Sequence, residues 1–129
     1  MQLESPFRLD GKVALVSGGS YGLGATFATV LAQAGADVVI TARSKDKLAA
    51  TAAEVARVGR RCLAVPGDVT DFADCAAVVE AAVAEFGHID VLVNNAGWAD
   101  DRLVRTENVE PETFHKMVMT DQVGLFYLT

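Results

Sequence analysis

The sequence predicts a doubly wound α/β fold, one parallel sheet with helices packed against both of its faces. Three observations carry this. Short apolar runs alternate along the whole chain with longer stretches whose apolar residues recur every third or fourth position. Strands linked by single helical crossovers run parallel, and runs as continuously apolar as VALV, VVI and VLV are those of strands covered on both faces. The first run also breaks into a glycine-rich turn directly ahead of a helix, the arrangement with which such sheets bind anions.

The elements come in this order. Lys12–Ser17 is a β-branched run that ends in Gly18 and Gly19, as a buried strand does on entering a tight turn. From Gly22 the period changes: Leu23, Phe27, Val30, Leu31 and Ala34 form one helical stripe, expected to face the sheet, and Gly35 stops the helix. Asp37–Thr41 is the second strand, followed by a helix with Leu48, Ala52 and Val55 inside and Gly59 at its end. Arg61–Val65 is the third strand, and Asp71–Phe86 the third helix, with Cys75, Val79, Ala82 and Phe86 on its apolar side and Gly87 behind it. Ile89–Asn94 is the fourth strand, after which Pro111, suited to a first helical turn, opens a last helix through Phe114, Met117 and Val118. No linker, low-complexity segment or short repeat interrupts the alternation, so residues 1–129 read as a single domain.

Composition narrows the function classes. The chain has 129 residues, 51% hydrophobic and 22% charged, which is that of an ordinary globular domain able to bury a core without disulfides or a structural metal. Eleven Lys and Arg against 17 Asp and Glu give a formal charge of −6, with no basic run longer than Arg60 and Arg61, so nucleic acid is not an expected partner. Glu80 and Asp90 interrupt the longest apolar stretches, and no membrane span is expected. The leader MQLESPFRLDGK lacks the apolar stretch of a secretory signal, so the expected compartment is the cytoplasm. Cys62 and Cys75 are too far from any ligand pattern to suggest a metal, and Asp100 and Asp101 lack a third ligand; reduced thiols and solvated carboxylates are expected.

Ligands of doubly wound sheets bind beyond the carboxyl ends of the strands, which directs attention to the residues after Ser17, Thr41, Val65 and Val93. The first of these turns reads Ser17-Gly18-Gly19-Ser20-Tyr21-Gly22-Leu23-Gly24. Small residues let backbone amides approach a phosphate, and the following helix N-terminus adds unpaired N–H groups and a favourable dipole. A nucleotide-hydrolase P-loop would match Gly19, Gly24 and Thr26, but Ala25 stands where that loop needs its lysine. The spacing present is Gly-x-x-x-Gly-x-Gly, on Gly18, Gly22 and Gly24.

Taken with this turn, Asn94-Asn95-Ala96-Gly97 after the fourth strand and Gly67-Asp68-Val69-Thr70-Asp71 after the third resemble the N-terminal half of the short-chain dehydrogenase/reductase family, from Leu9 to Thr129. The resemblance implies a Rossmann-like sheet of strand order 3-2-1-4, without the family's fifth to seventh strands. It implies that Gly18, Ser20, Gly22 and the Leu23 amide contact the pyrophosphate of a nicotinamide cofactor, with Tyr21 and Gly24 completing the loop. Asp68 then accepts from the adenine amino group with the Val69 amide beside it, and Asn95, Ala96 and Gly97 line the adenosine ribose. The plain alternative for Asp68 is a turn or helix-capping carboxylate.

The end of the second strand bears on the choice of cofactor. An acidic residue there would accept from both ribose hydroxyls and repel a 2′-phosphate. Ala42 and Arg43 stand there instead, a guanidinium pairs well with phosphate, and Ser44 and Lys45 add donors, so NADP(H) is expected over NAD(H). Tyr21 sits where many NADP-dependent relatives carry a second basic residue, which makes the expected preference modest.

The resemblance further implies hydride transfer between an alcohol and a ketone, with a tyrosine as acid/base, a lysine four residues on, a serine and an asparagine. Tyr21 is followed at that distance by Ala25, and Tyr127 lies too near Thr129. Asp121 takes the asparagine position; it can accept hydrogen bonds but has no amide N–H to donate. The chain alone is thus expected to bind cofactor weakly and to catalyse little, and a non-catalytic nucleotide-binding or regulatory remnant is the alternative. Trp98 either borders a substrate cleft or packs. Complete relatives are typically dimers or tetramers, and an apolar fourth strand at the sheet edge invites self-association, so a homo-oligomer is expected.

Overall fold

The computed structural model describes residues 6–102 and 104–129, so the first five residues of the leader lie outside the described part. Four parallel strands form one sheet in the order β3-β2-β1-β4, with β1 at Val13–Ser17, β2 at Asp37–Ala42, β3 at Cys62–Pro66 and β4 at Val91–Val93. The register sets Ser17 beside Thr41, and Thr41 beside Val65, so the three loops beyond them leave the sheet at one level. The crossovers are α1 (Gly22–Gln33), α2 (Lys45–Arg57) and α3 (Phe72–Phe86). After β4 come α4 (Pro111–Val118), a π-helical turn at Met119–Val123, and α5 (Gly124–Leu128).

Alternation along the strands divides the core in two. Val16, Val38 and Ile40 meet Ala28, Ala32, Leu48 and Val55 of α1 and α2 on one face. Val13, Leu15 and Val39 meet Cys75, Val78 and Ala82 of α3 and Leu128 of α5 on the other. Both faces of the sheet are covered, as its continuously apolar strands require. Burial pushes the Cys62 thiol up to about 11, and Cys75 is raised as well, so both are protonated at neutral pH.

Three local expectations need correction. Of the stripe expected on the inner side of α1, Leu31 packs against the core, but Leu23 is 69% exposed, Phe27 37% and Val30 54%, while Gly24, Ala28 and Ala32 are buried. Where the helix passes closest to the glycine turn, at Gly24, a Cβ would already overlap the Gly18 carbonyl oxygen, and the row that continues from it along the helix is of small residues. The fourth strand is shorter than Ile89–Asn94, because Asp90 turns its carboxylate to the Val13 amide at 2.8 Å and the Asn95 amide leaves the ladder for the Ser17 hydroxyl. The third strand is shifted by one residue, since Arg61 is taken up by the carboxylate of Asp37.

That carboxylate joins the starts of β2 and β3. Its side chain is 8% exposed and accepts from Arg60 Nη2 at 2.6 Å, Arg61 Nη2 at 2.6 Å, Arg61 Nε at 3.0 Å and the Arg61 amide at 3.2 Å. Burial alone would raise its pKa, but the Arg61 hydrogen bonds and the two guanidinium charges outweigh it and hold Asp37 below the usual carboxylate value. A depressed folded-state pKa stabilises fully above the unfolded value of about 3.9, and that contribution is lost as pH falls through the folded value. Asp37→Asn is therefore expected to cost about 1 to 3 kcal/mol at pH 7, and the gap from the parent should close below about pH 4. Thermal melts across that range check this, and a gap independent of pH would refute it.

Candidate functional site

The carboxyl ends of the strands open into one cavity of about 540 Å³. Apart from Lys45, each residue expected at the cofactor borders it: Gly18, Ser20, Tyr21, Gly22, Leu23 and Gly24 from the glycine turn, Arg43 and Ser44 after β2, Asp68 and Val69 after β3, and Asn95, Ala96 and Gly97 after β4. Asp121 does not line it.

The glycine turn is held from below. Ser17 is 1% exposed, and its hydroxyl accepts the amides of Asn95 at 3.1 Å and Ala96 at 3.0 Å while lying 3.4 Å from the Val93 carbonyl. Asn95 Nδ2 donates in return to the carbonyls of Ser17 and Gly18, each at 3.2 Å. The turn after β4 is thereby fastened to the turn after β1. Gly18 has φ +67, and a Cβ there would lie 2.9 Å from Ala96 Cα, so both its conformation and its closeness to the neighbouring backbone call for glycine. A Cβ on Gly24 would overlap the Gly18 carbonyl oxygen and lie 2.6 Å from Asn95 Nδ2.

The mouth of this cradle suits an anion. Tyr21 occupies the N-cap of α1 but provides no side-chain cap, and the first turn holds no acidic residue. The amides that begin the helix thus face the cavity without an internal partner, at the positive end of a 12-residue helix. Arg43 also borders the cavity, and among the described residues neither it nor Lys47 is in an ion pair.

Asp68 makes an Asx turn, its Oδ1 accepting from the Thr70 amide at 2.9 Å and the Thr70 hydroxyl at 2.7 Å. It does not cap α3; Asp71 does, accepting from the amides of Ala73 and Asp74. Burial would raise its pKa, but the Thr70 hydrogen bonds and the Arg43 charge bring it net below the usual carboxylate value, so an ionised acceptor stands in the cavity wall at neutral pH.

Asp121 lies in the π-helical turn and accepts the Trp98 amide at 2.7 Å, tying the loop after β4 to the last helical region. Trp98 borders the cavity, with Lys116 Nζ 3.8 Å from its ring centroid.

Reading the sequence missed Thr70, Lys116, Thr120 and Lys47, all of which line the cavity, whereas Lys45 does not. Helical spacing could have found Lys47, which stands three residues after the N-cap Ser44 and gives that hydroxyl its amide at 3.4 Å. Lys116 and Thr120 depend on a long-range approach of α4 that no local pattern marks. Among the described residues no group of three or more His, Cys, Asp or Glu could hold a metal, and no helix is long and apolar enough to cross a membrane.

The sequence profile described as "short chain dehydrogenase" matches residues 12–129. Among curated relatives, 2-dehydro-3-deoxy-D-gluconate 5-dehydrogenase of Dickeya dadantii (strain 3937) is 50% identical over 91 residues, 70% of this chain and 35% of the relative. Among solved structures, a short-chain type dehydrogenase/reductase from Mycobacterium marinum superposes with a TM-score of 0.90 at 34% identity, covering 95% of this chain and 49% of that one. Levodione reductase superposes at 0.89 with 33% identity over 94% of this chain and 47% of its own. The chain thus spans half or less of the length of these relatives. With its strand order, its glycine cradle and a profile match over nearly its whole length, the chain belongs to the short-chain dehydrogenase family.

Proposed function

We propose that this chain forms the cofactor-binding region of an oxidoreductase that prefers NADP(H) over NAD(H) and interconverts a small-molecule alcohol and ketone. Family membership carries the coarser statement, a nucleotide-binding region for NAD(P)(H). The observation that carries the finer one is the end of β2, where Ala42 and Arg43 border the cavity and no carboxylate competes for the ribose hydroxyls. The residues fit the cofactor. The Gly18–Gly24 cradle takes a pyrophosphate, Asp68 accepts from the adenine amino group beside the Val69 amide, and Asn95–Gly97 lies along the ribose. The bound cofactor would supply hydride transfer.

Asp121 serves this site as a positioning residue: by accepting the Trp98 amide it holds the turn over which the nicotinamide half would lie. By itself the chain binds cofactor weakly and turns over little, since it contains no Tyr-x-x-x-Lys. Members of the family act on small molecules and commonly form oligomers. We place this protein in the cytoplasm as a homo-oligomer; light scattering showing a monodisperse monomer would count against the oligomer.

A titration of the parent and of Arg43→Asp with NADPH and NADH tests the cofactor reading. The parent is expected to favour NADPH, and the substitution to move the affinity ratio about 100-fold toward NADH, because it removes charge-assisted phosphate contacts and adds a repulsive carboxylate. An unchanged ratio would sink the assignment. Asp121→Ala, in the same titration, is expected to weaken both cofactors alike; unaltered binding would remove Asp121 from the site.

A further inference from the structure

We propose that Lys47, seated on the ring of Tyr21, is the second cation of a 2′-phosphate subsite and sets the cofactor preference together with Arg43. The inference rests on the NADP(H) reading above and adds to it the residue and the platform.

The placement is set by α2. Its face toward the glycine turn is fixed by Leu48 and Thr51, which are 1% and 3% exposed. The Thr51 hydroxyl donates to the Ser20 carbonyl at 3.4 Å, attaching α2 to the turn. Lys47 lies one helical turn nearer the N-terminus than Thr51 on this face, so it meets the next residue of the glycine turn. Its Nζ stands 5.0 Å from the centroid of the Tyr21 ring. An ammonium held over an aromatic face keeps its donors for another ligand, whereas one bound to a carboxylate is already neutralised. Lys47 has no such carboxylate: it is in no ion pair among the described residues, and Asp46, in the first turn of α2, does not line the cavity.

A fork-shaped cation, a point cation and the Ser44 hydroxyl at the N-terminus of a 13-residue helix therefore converge on this corner, all bordering one cavity. A carboxylate borders the same cavity, Asp68 after β3, and the Arg43 charge helps to keep it ionised. A monoester phosphate dianion on a ribose matches this set; a bare ribose would leave Lys47 without a counter-charge. Tyr21, which is not basic, contributes by holding a cation supplied from another element.

Adenosine 2′,5′-bisphosphate and 5′-AMP differ only in the phosphate concerned, and calorimetric titration of the full chain with each isolates this corner. Lys47→Gln is expected to weaken the bisphosphate about 10-fold and to leave 5′-AMP within about twofold. Tyr21→Phe should retain parent affinity for the bisphosphate, and Tyr21→Leu should lose about threefold on the bisphosphate alone. If Lys47→Gln weakens both probes equally, or neither, while the parent prefers the bisphosphate and Arg43→Asp abolishes that preference, this inference falls and the NADP(H) reading stands. If the parent binds both probes alike, or neither, the NADP(H) reading itself falls and takes this inference with it.

Discussion

Gly24→Ala is expected to abolish dinucleotide binding and to lower stability by about 3 kcal/mol, roughly 10 °C in melting temperature for a domain of this size. One methyl group has this effect because nothing around it can yield. The added Cβ overlaps the Gly18 carbonyl oxygen, and Gly18 is already at φ +67 with Ala96 packed against it. The other neighbour, Asn95 Nδ2, is committed to the carbonyls of Ser17 and Gly18. Relief must come from moving α1 away from the sheet, which uncovers Ala28 and Ala32 and displaces the amides that would meet a pyrophosphate. Differential scanning calorimetry and NADPH titration read the two effects. A variant that melts within about 2 °C of the parent, or that still binds, would show that the cradle is softer than its contacts indicate.

Ser17→Ala is expected to cost about 2 to 4 kcal/mol, although it removes one oxygen from a position that remains fully packed. That oxygen is the acceptor for two amides, those of Asn95 and Ala96, beneath the site. A buried N–H left without an acceptor costs about 1 to 3 kcal/mol, and two are affected here. The loss falls on the turn after β4, so faster hydrogen exchange at Asn95 and Ala96 should accompany weaker NADPH binding. If those amides stay as protected as in the parent, Ser17 is not what fastens the two turns together.

The two central strands could be read from the sequence because apolarity on both faces is a local property: VALV and VVI are buried wherever a parallel sheet puts them. The glycine turn and Asp68 could be read because their chemistry is carried by residues adjacent in sequence. The inner side of α1 could not. Periodicity finds the large apolar stripe of Leu23, Phe27 and Val30, but contact with the sheet selected the small row of Gly24, Ala28 and Ala32, and closeness of approach is not written in hydropathy. The length of β4 went astray for a similar reason, since side chains from β1 and from its own loop, Ser17 and Asp90, took the backbone partners that a ladder would use. The place of Arg43 at the cavity was legible from its position after β2, and Lys47 was not singled out because its place there depends on an approach to Tyr21, a partner from another loop.

The π-helical turn at Met119–Val123 has a consequence for chain length. Such a turn holds one residue more than an α-helical turn, and each residue of an α-helix advances the side chains by about 100°. Deleting a single residue there would restore a regular α-helical turn and leave α5 near its present phase, with Leu128 still in the core it shares with Val78 and Ala82, whereas deleting one from the regular helix of α4 would rotate α5 by that angle. The π turn absorbs its extra residue locally, so phase is at stake in the regular helices on either side of it rather than within it. The segment should therefore accept the loss of one residue more readily than α4 does.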